Sequence, residues 1–180
     1  MGWSFKVHGG IALAMSATAL LLALLSWVPG MTVSLTSVDW LAVVVLMLPV
    51  VLAAGARVLL TGSDKKTLWR AFWCLPGRLQ ATLGVLFMSG FVLFFMGLSN
   101  DTRQQTEMIK DGRYYVFDMT TSQRAVVEVP RSQYEKVARE EQRPMFAGFT
   151  WLCAVSAFGV FTAGELRRAD ARSGSVDAAT

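Results

Sequence analysis

A chain of 180 residues, 53% hydrophobic and carrying a formal charge of +4, has room for one helical unit and for no large second domain. The basic balance does not point to nucleic acid, because Lys and Arg are not interleaved with aromatic residues into a reading strip. Membrane proteins collect the same residues on the cytoplasmic side, against anionic lipid.

In chain order, Lys6 and His8 precede an apolar run from Ile11 to Val28 that ends at Pro29-Gly30. The run is longer than a secretory-signal core and lacks a small-x-small cleavage site, so it is read as a retained first helix. Residues 30–39 make a short connection with no basic residue. A second helix is predicted from Trp40 to about Ala56, with Pro49 as a static kink. Residues 57–78 carry five basic residues against Asp64 alone, and within them 64–75 reads as a short interfacial helix. A third helix follows over about Leu79–Leu98 and a fourth over about Met145–Gly164. Four uncharged stretches of at least 17 residues underlie these helices. That length approaches what is needed to cross a hydrocarbon core of about 30 Å, where only helices satisfy their own backbone. The predicted fold class is an all-α membrane protein: a four-helix transmembrane bundle with a small extracytoplasmic cap of a β-hairpin plus a helix.

Orientation follows from the first hairpin. Lys6 lies on one side, nothing basic on the next, and five basic residues on the first side again. Both termini and the 57–78 loop are therefore expected in the cytoplasm of a bacterium and residues 99–144 outside, in a multi-pass protein of the cytoplasmic membrane. Residues 99–144 hold eight basic residues, nearly matching the nine inside, but the early helices decide orientation. Trp27 and Trp40 are expected at the outer interface, Trp69 and Trp73 at the inner one. The organisation is thus 1–98 for three helices and the interfacial loop, 99–144 for the cap, 145–164 for the last helix and 165–180 for a disordered cytoplasmic tail.

The helix cores contain no Asp, Glu, Lys, Arg or His, which disfavours ion-coupled transport. Small-residue pairs Ala12/Ser16, Ala19/Ala23 and Gly159/Ala163, with Gly90 and Gly97, supply close-packing faces. Packing inside one bundle is the plainer use of them; a homo-oligomer, including a pore, is the other. Cys74 and Cys153 are predicted at different depths and are read as small apolar fillers.

Within the cap, Asp111-Gly112 is a turn signal. Arg113–Met119 and Ala125–Val129 read as the two strands of a hairpin joined by Thr120–Arg124, with Tyr115, Phe117 and Met119 on one face and Tyr114 on the other. Asp at Tyr115 or Phe117 is expected to disrupt the cap. Ser132-Gln-Tyr-Glu135 fits a capping box for a helix to about Arg143, and Pro144 then opens the last membrane helix. The stripe Tyr134, Val137, Ala138 covers one hairpin face. Candidate partner-binding residues are Tyr114, Tyr115, Phe117, Arg124, Tyr134 and Arg139.

No catalytic constellation is read. His8 is the only histidine, placed before the first helix and opposite the cap; no Cys/His set suits a metal, and no phosphate or dinucleotide fingerprint occurs. Glu140 and Glu141 are adjacent and point about 100° apart on a helix. No cofactor is expected. The stretch carrying Asp111-Gly-Arg-Tyr-Tyr115, Tyr134-Glu135 and Glu141-Gln-Arg143 resembles small four-helix membrane proteins of actinobacteria with an outward insert between helices 3 and 4. That resemblance implies bundle-plus-cap architecture and no activity. The expected function is non-enzymatic: lipid around the bundle and a protein partner on the extracytoplasmic cap, most concretely as an immunity protein against a membrane-acting toxin. The alternatives are an accessory subunit of a larger membrane complex or a homo-oligomeric pore.

Overall fold

The computed structural model describes residues 2–28, 37–62, 64–99, 104–119 and 125–177, without the side chains of 37, 38 and 174–177. Among the described residues, five helices and three strands follow in the order α1 (Trp3–Leu25), α2 (Ser37–Thr61), α3 (Lys65–Trp73), α4 (Gly77–Ser99), β1 (Gln104–Lys110), β2 (Arg113–Asp118), β3 (Ala125–Val129) and α5 (Arg131–Asp177). Among the described residues, four helices are long and apolar enough, by length and composition, to cross a membrane: Trp3–Leu25, Asp39–Thr61, Gly77–Ser99 and Arg131–Ser173.

Caps rather than charges set the helix ends. The first helix starts at Trp3, so Lys6 and His8 lie inside it, and His8 Nε2 reaches the Val50 carbonyl at 2.9 Å. A carbonyl can only accept, so that nitrogen carries the proton. The helix stops at Leu25 instead of Val28, and the Ser26 hydroxyl donates back to the Ala23 carbonyl at 2.6 Å. Arg57 is inside α2, which runs past it to Thr61 and is followed by Gly62, a glycine at φ 62° suited to the left-handed residue after a helix. Asp64 caps α3 by accepting from the Thr67 amide at 2.9 Å, and hydrogen bonding by Thr67 holds its carboxyl below the ordinary range. Gln80 of α4 reaches back to the carbonyls of Phe72, Trp73 and Leu75, the last at 2.7 Å, closing the α3–α4 turn.

The central helix is α5, and α1 to α4 all pack on it. α1 runs antiparallel to it: Gly9 lies under the Phe161 ring, the Ser16 hydroxyl donates to the Thr150 carbonyl at 2.8 Å, and Arg143 reaches Ser26. α4 is also antiparallel, with Gly90 against Trp151 and Gly97 against Pro144. α2 is parallel, touching Phe146 and Phe149 through Trp40 near its start and Gly159 through Val58 near its end. The small residues are therefore spent inside the chain: Ala12, Ser16, Ala19, Ala23 and Ala163 are buried, and Gly9, Gly90, Gly97 and Gly159 face neighbours that a Cβ would strike. The faces proposed for self-association are occupied by the chain itself.

Two expectations about the last third are corrected. The last helix does not begin at 145; it starts at Arg131 and passes Pro144 without ending. Proline removes one hydrogen bond within α5, and the helix nevertheless continues on both sides of it, with Gly97 of α4 packed against the ring. The tail expected to be disordered from 165 is helical through Asp177. Ala, Leu, Glu and Arg propagate an existing helix without a new nucleation cost.

Candidate functional site

The cap holds the described residues richest in polar chemistry. It is a three-stranded antiparallel sheet in the order β1-β2-β3, not the two-stranded hairpin expected. Asp111 and Gly112, at φ 51° and 75°, form the two-residue turn between Lys110 and Arg113, the left-handed geometry that Asp-Gly favours. That turn was itself a signal that a strand precedes it. The polar stretch Gln-Gln-Thr-Glu-Met-Ile-Lys is a weak strand former and hid it. Residues 120–124 between β2 and β3, including the candidate Arg124, lie outside the described residues.

α5 covers the face bearing Tyr114 and Val116. Val116, Val129 and Val137 are buried together, and Tyr114 and Tyr134 pack beside them with ring centroids 5.3 Å apart. Burial, then the charge of Glu141, raises the Tyr134 phenol above its ordinary range. The face expected to anchor the cap is thus the wrong one. Alternation puts Tyr115 and Phe117 on the opposite side, opposite Glu128 and Val126 of β3. Their larger rings made them the obvious core from the sequence, yet β2 docks through the aliphatic face that matches the Tyr134–Val137 stripe.

Helix and sheet are clamped at a bulge. The register of β1 shifts between Thr106 and Met108, and the Glu141 carboxylate accepts both the amide (3.0 Å) and the hydroxyl of Thr106. Gln133 donates to Gln104 at 3.2 Å, and Gln104 to Asp118 at 3.3 Å. The expected capping box is replaced: α5 begins at Arg131, two residues earlier than a Ser132 cap would set, and Glu135 accepts from Arg131 Nε at 2.7 Å, which raises the arginine's pKa.

Arg143 fastens the cap helix to the end of α1. Its Nη2 donates to the Ser26 carbonyl at 3.1 Å, and its guanidinium carbon lies 4.4 Å from the centre of the Trp27 ring. Arg143→Gln is expected to cost about 1–2 kcal/mol, and Arg143→Lys less, read as a lower midpoint of detergent-induced unfolding.

The six candidate residues do not converge on one surface. Tyr114 and Tyr134 are consumed in the cap core. Arg139 is half-buried on α5 two residues beyond Val137, about 200° around the helix and away from the sheet. Tyr115 and Phe117 remain together, each half-buried, on the face that α5 leaves uncovered. There they are joined by Met108 (47% exposed) and Val126 (50%), residues the sequence reading did not single out. Arg113 and Glu128 rim this face with an ion pair at 3.4 Å. What it can do is make contacts, through two aromatic rings, a flexible thioether and a branched aliphatic. Comparison with protein families, with characterised proteins and with solved structures finds no match to this chain.

Proposed function

We propose that the chain is an integral protein of a bacterial cytoplasmic membrane, crossing it four times with both ends inside and displaying the cap outside as a docking surface for a protein partner. The concrete form is an immunity protein that blocks a toxin acting at that membrane. The observation carrying this reading is the uncovered sheet face of Met108, Tyr115, Phe117 and Val126, at the end of the bundle opposite the arginine-rich end. Lipid as the solvent for the bundle is supported by α2 and α4, whose Leu41, Leu46, Leu52, Val85 and Phe95 are half or more exposed. Water-soluble monomers rarely leave such surface open. The same bare flank of α2 favours a second reading, an accessory subunit that meets another membrane protein sideways.

Topology is tested by labelling intact cells with an impermeant maleimide. Lys110→Cys is expected to react at once and the native Cys74 only after lysis; the reverse order would invert the protein. Docking is tested by protection against a secreted toxin encoded beside this gene. Combining Tyr115→Ser with Phe117→Ser is expected to weaken partner binding about 30-fold, as loss of a central aromatic anchor does, and to abolish protection while the cap stays protease-resistant. Undiminished protection moves the site off this face. A neighbourhood with no toxin gene favours the accessory subunit.

A further inference from the structure

A groove of about 380 Å³ lies at the other end of the bundle, between α3 and the last turns of α5. One wall is a single face of α3, Thr67, Arg70, Ala71 and Cys74, at the three- and four-residue spacing that aligns a helix stripe. The other wall brings Arg168 and Arg172, with Leu166 and Ala169 as apolar floor. Three guanidiniums thus meet one carboxylate, Glu165, which is itself paired with Arg168 at 3.4 Å. Guanidinium forks suit the oxygens of a phosphate ester.

Two further features say what kind of phosphate. Trp69 and Trp73 project from α3 with 55% and 62% of their surface exposed, packed edge to face 5.9 Å apart, as indoles at a headgroup layer do. Nearby, Arg57 and Arg167 both lie over the Phe5 ring, at 4.6 and 5.4 Å, so positive charge continues across this end of the molecule. We infer that the α3–α5 groove binds the headgroup phosphate of an anionic phospholipid, with Arg70 and Arg168 as its principal contacts, at the headgroup depth that Trp69 and Trp73 mark on the other flank of α3. The inference rests on the membrane reading above. It adds a specific lipid site on the face away from the cap.

The test uses the full-length protein, delipidated in a neutral detergent and titrated with phosphatidylglycerol or phosphatidylcholine, bound lipid being counted by native mass spectrometry. Wild type is expected to prefer phosphatidylglycerol about 30-fold. Arg70→Gln with Arg168→Gln should bring the two lipids to within about twofold. Lys65→Gln with Lys66→Gln removes the same charge from α3 outside the groove and should leave the preference intact. Phosphatidylglycerol should also slow maleimide reaction at Cys74, which is exposed in the groove, while inorganic phosphate should not. Equal binding of the two lipids by wild type, loss of preference in the lysine pair, or protection of Cys74 by inorganic phosphate overturns the inference. Alkaline carbonate extraction of the same variants keeps the two readings apart. Protein that stays in the membrane without headgroup preference sinks only the groove, whereas protein that washes out sinks the membrane reading first.

Discussion

Val116→Asp is expected to unfold the cap and leave the helical bundle standing. Val116 is fully buried at the centre of β2, with Val129, Val137 and the two tilted tyrosine rings around it. An unpaired carboxylate there costs about 3–5 kcal/mol, or must take up a proton to stay. The cap cannot absorb that loss, since its buried core is three valines worth about 1.5–3 kcal/mol each and a three-stranded sheet is near the minimum that stands at all. Protease sites between residues 104 and 130 should open while the helical circular dichroism of the bundle stays within about a tenth of wild type. Phe117→Asp, on the uncovered face, should leave those sites closed. If the two variants behave alike, the sheet does not dock on α5 through Val116.

Gly90→Val should separate α4 from α5. A Cβ at Gly90 would sit 2.8 Å from the Trp151 backbone nitrogen and 3.0 Å from the Thr150 methyl. Backbone cannot step aside as a flexible side chain can, so the helices must part. Overpacking of this kind costs up to about 3 kcal/mol, and the branched side chain puts valine at the upper end. Gly84→Val is the control, because nothing lies within 4 Å of its Cβ; removing a helix glycine there should change stability by less than about 0.5 kcal/mol. Both are read from the midpoint of sodium dodecyl sulfate unfolding monitored by helicity. A Gly90 variant matching the Gly84 control would mean that α4 does not approach α5 this closely.

The long helices were legible because a run without charges is a local property, visible without knowing any neighbour. The Asp-Gly turn was legible for the same reason. What failed depended on distant partners. Which face of β2 is inner is decided by Tyr134 and Val137, sixteen or more residues beyond the strand, and ring size alone pointed to Tyr115 and Phe117. Pro144 sits inside a helix whose flanks pack on α1 and α4, and a local reading placed a boundary there. β1 is held by Glu141 as much as by its own propensity, and nothing in Gln104–Lys110 announces that clamp. Of the candidate site, Tyr115 and Phe117 were found by their aromatic character, while Met108 joins them only through β1.

The 47 residues of α5 make one rod about 70 Å long at 1.5 Å per residue. Tyr134 and Val137 ride on it at one end, Arg168 and Arg172 at the other, and its only proline is braced by α4. Such a shaft has no free joint. The sheet at one end and the arginines at the other are therefore mounted on a single axle, held along its sides by four neighbouring helices.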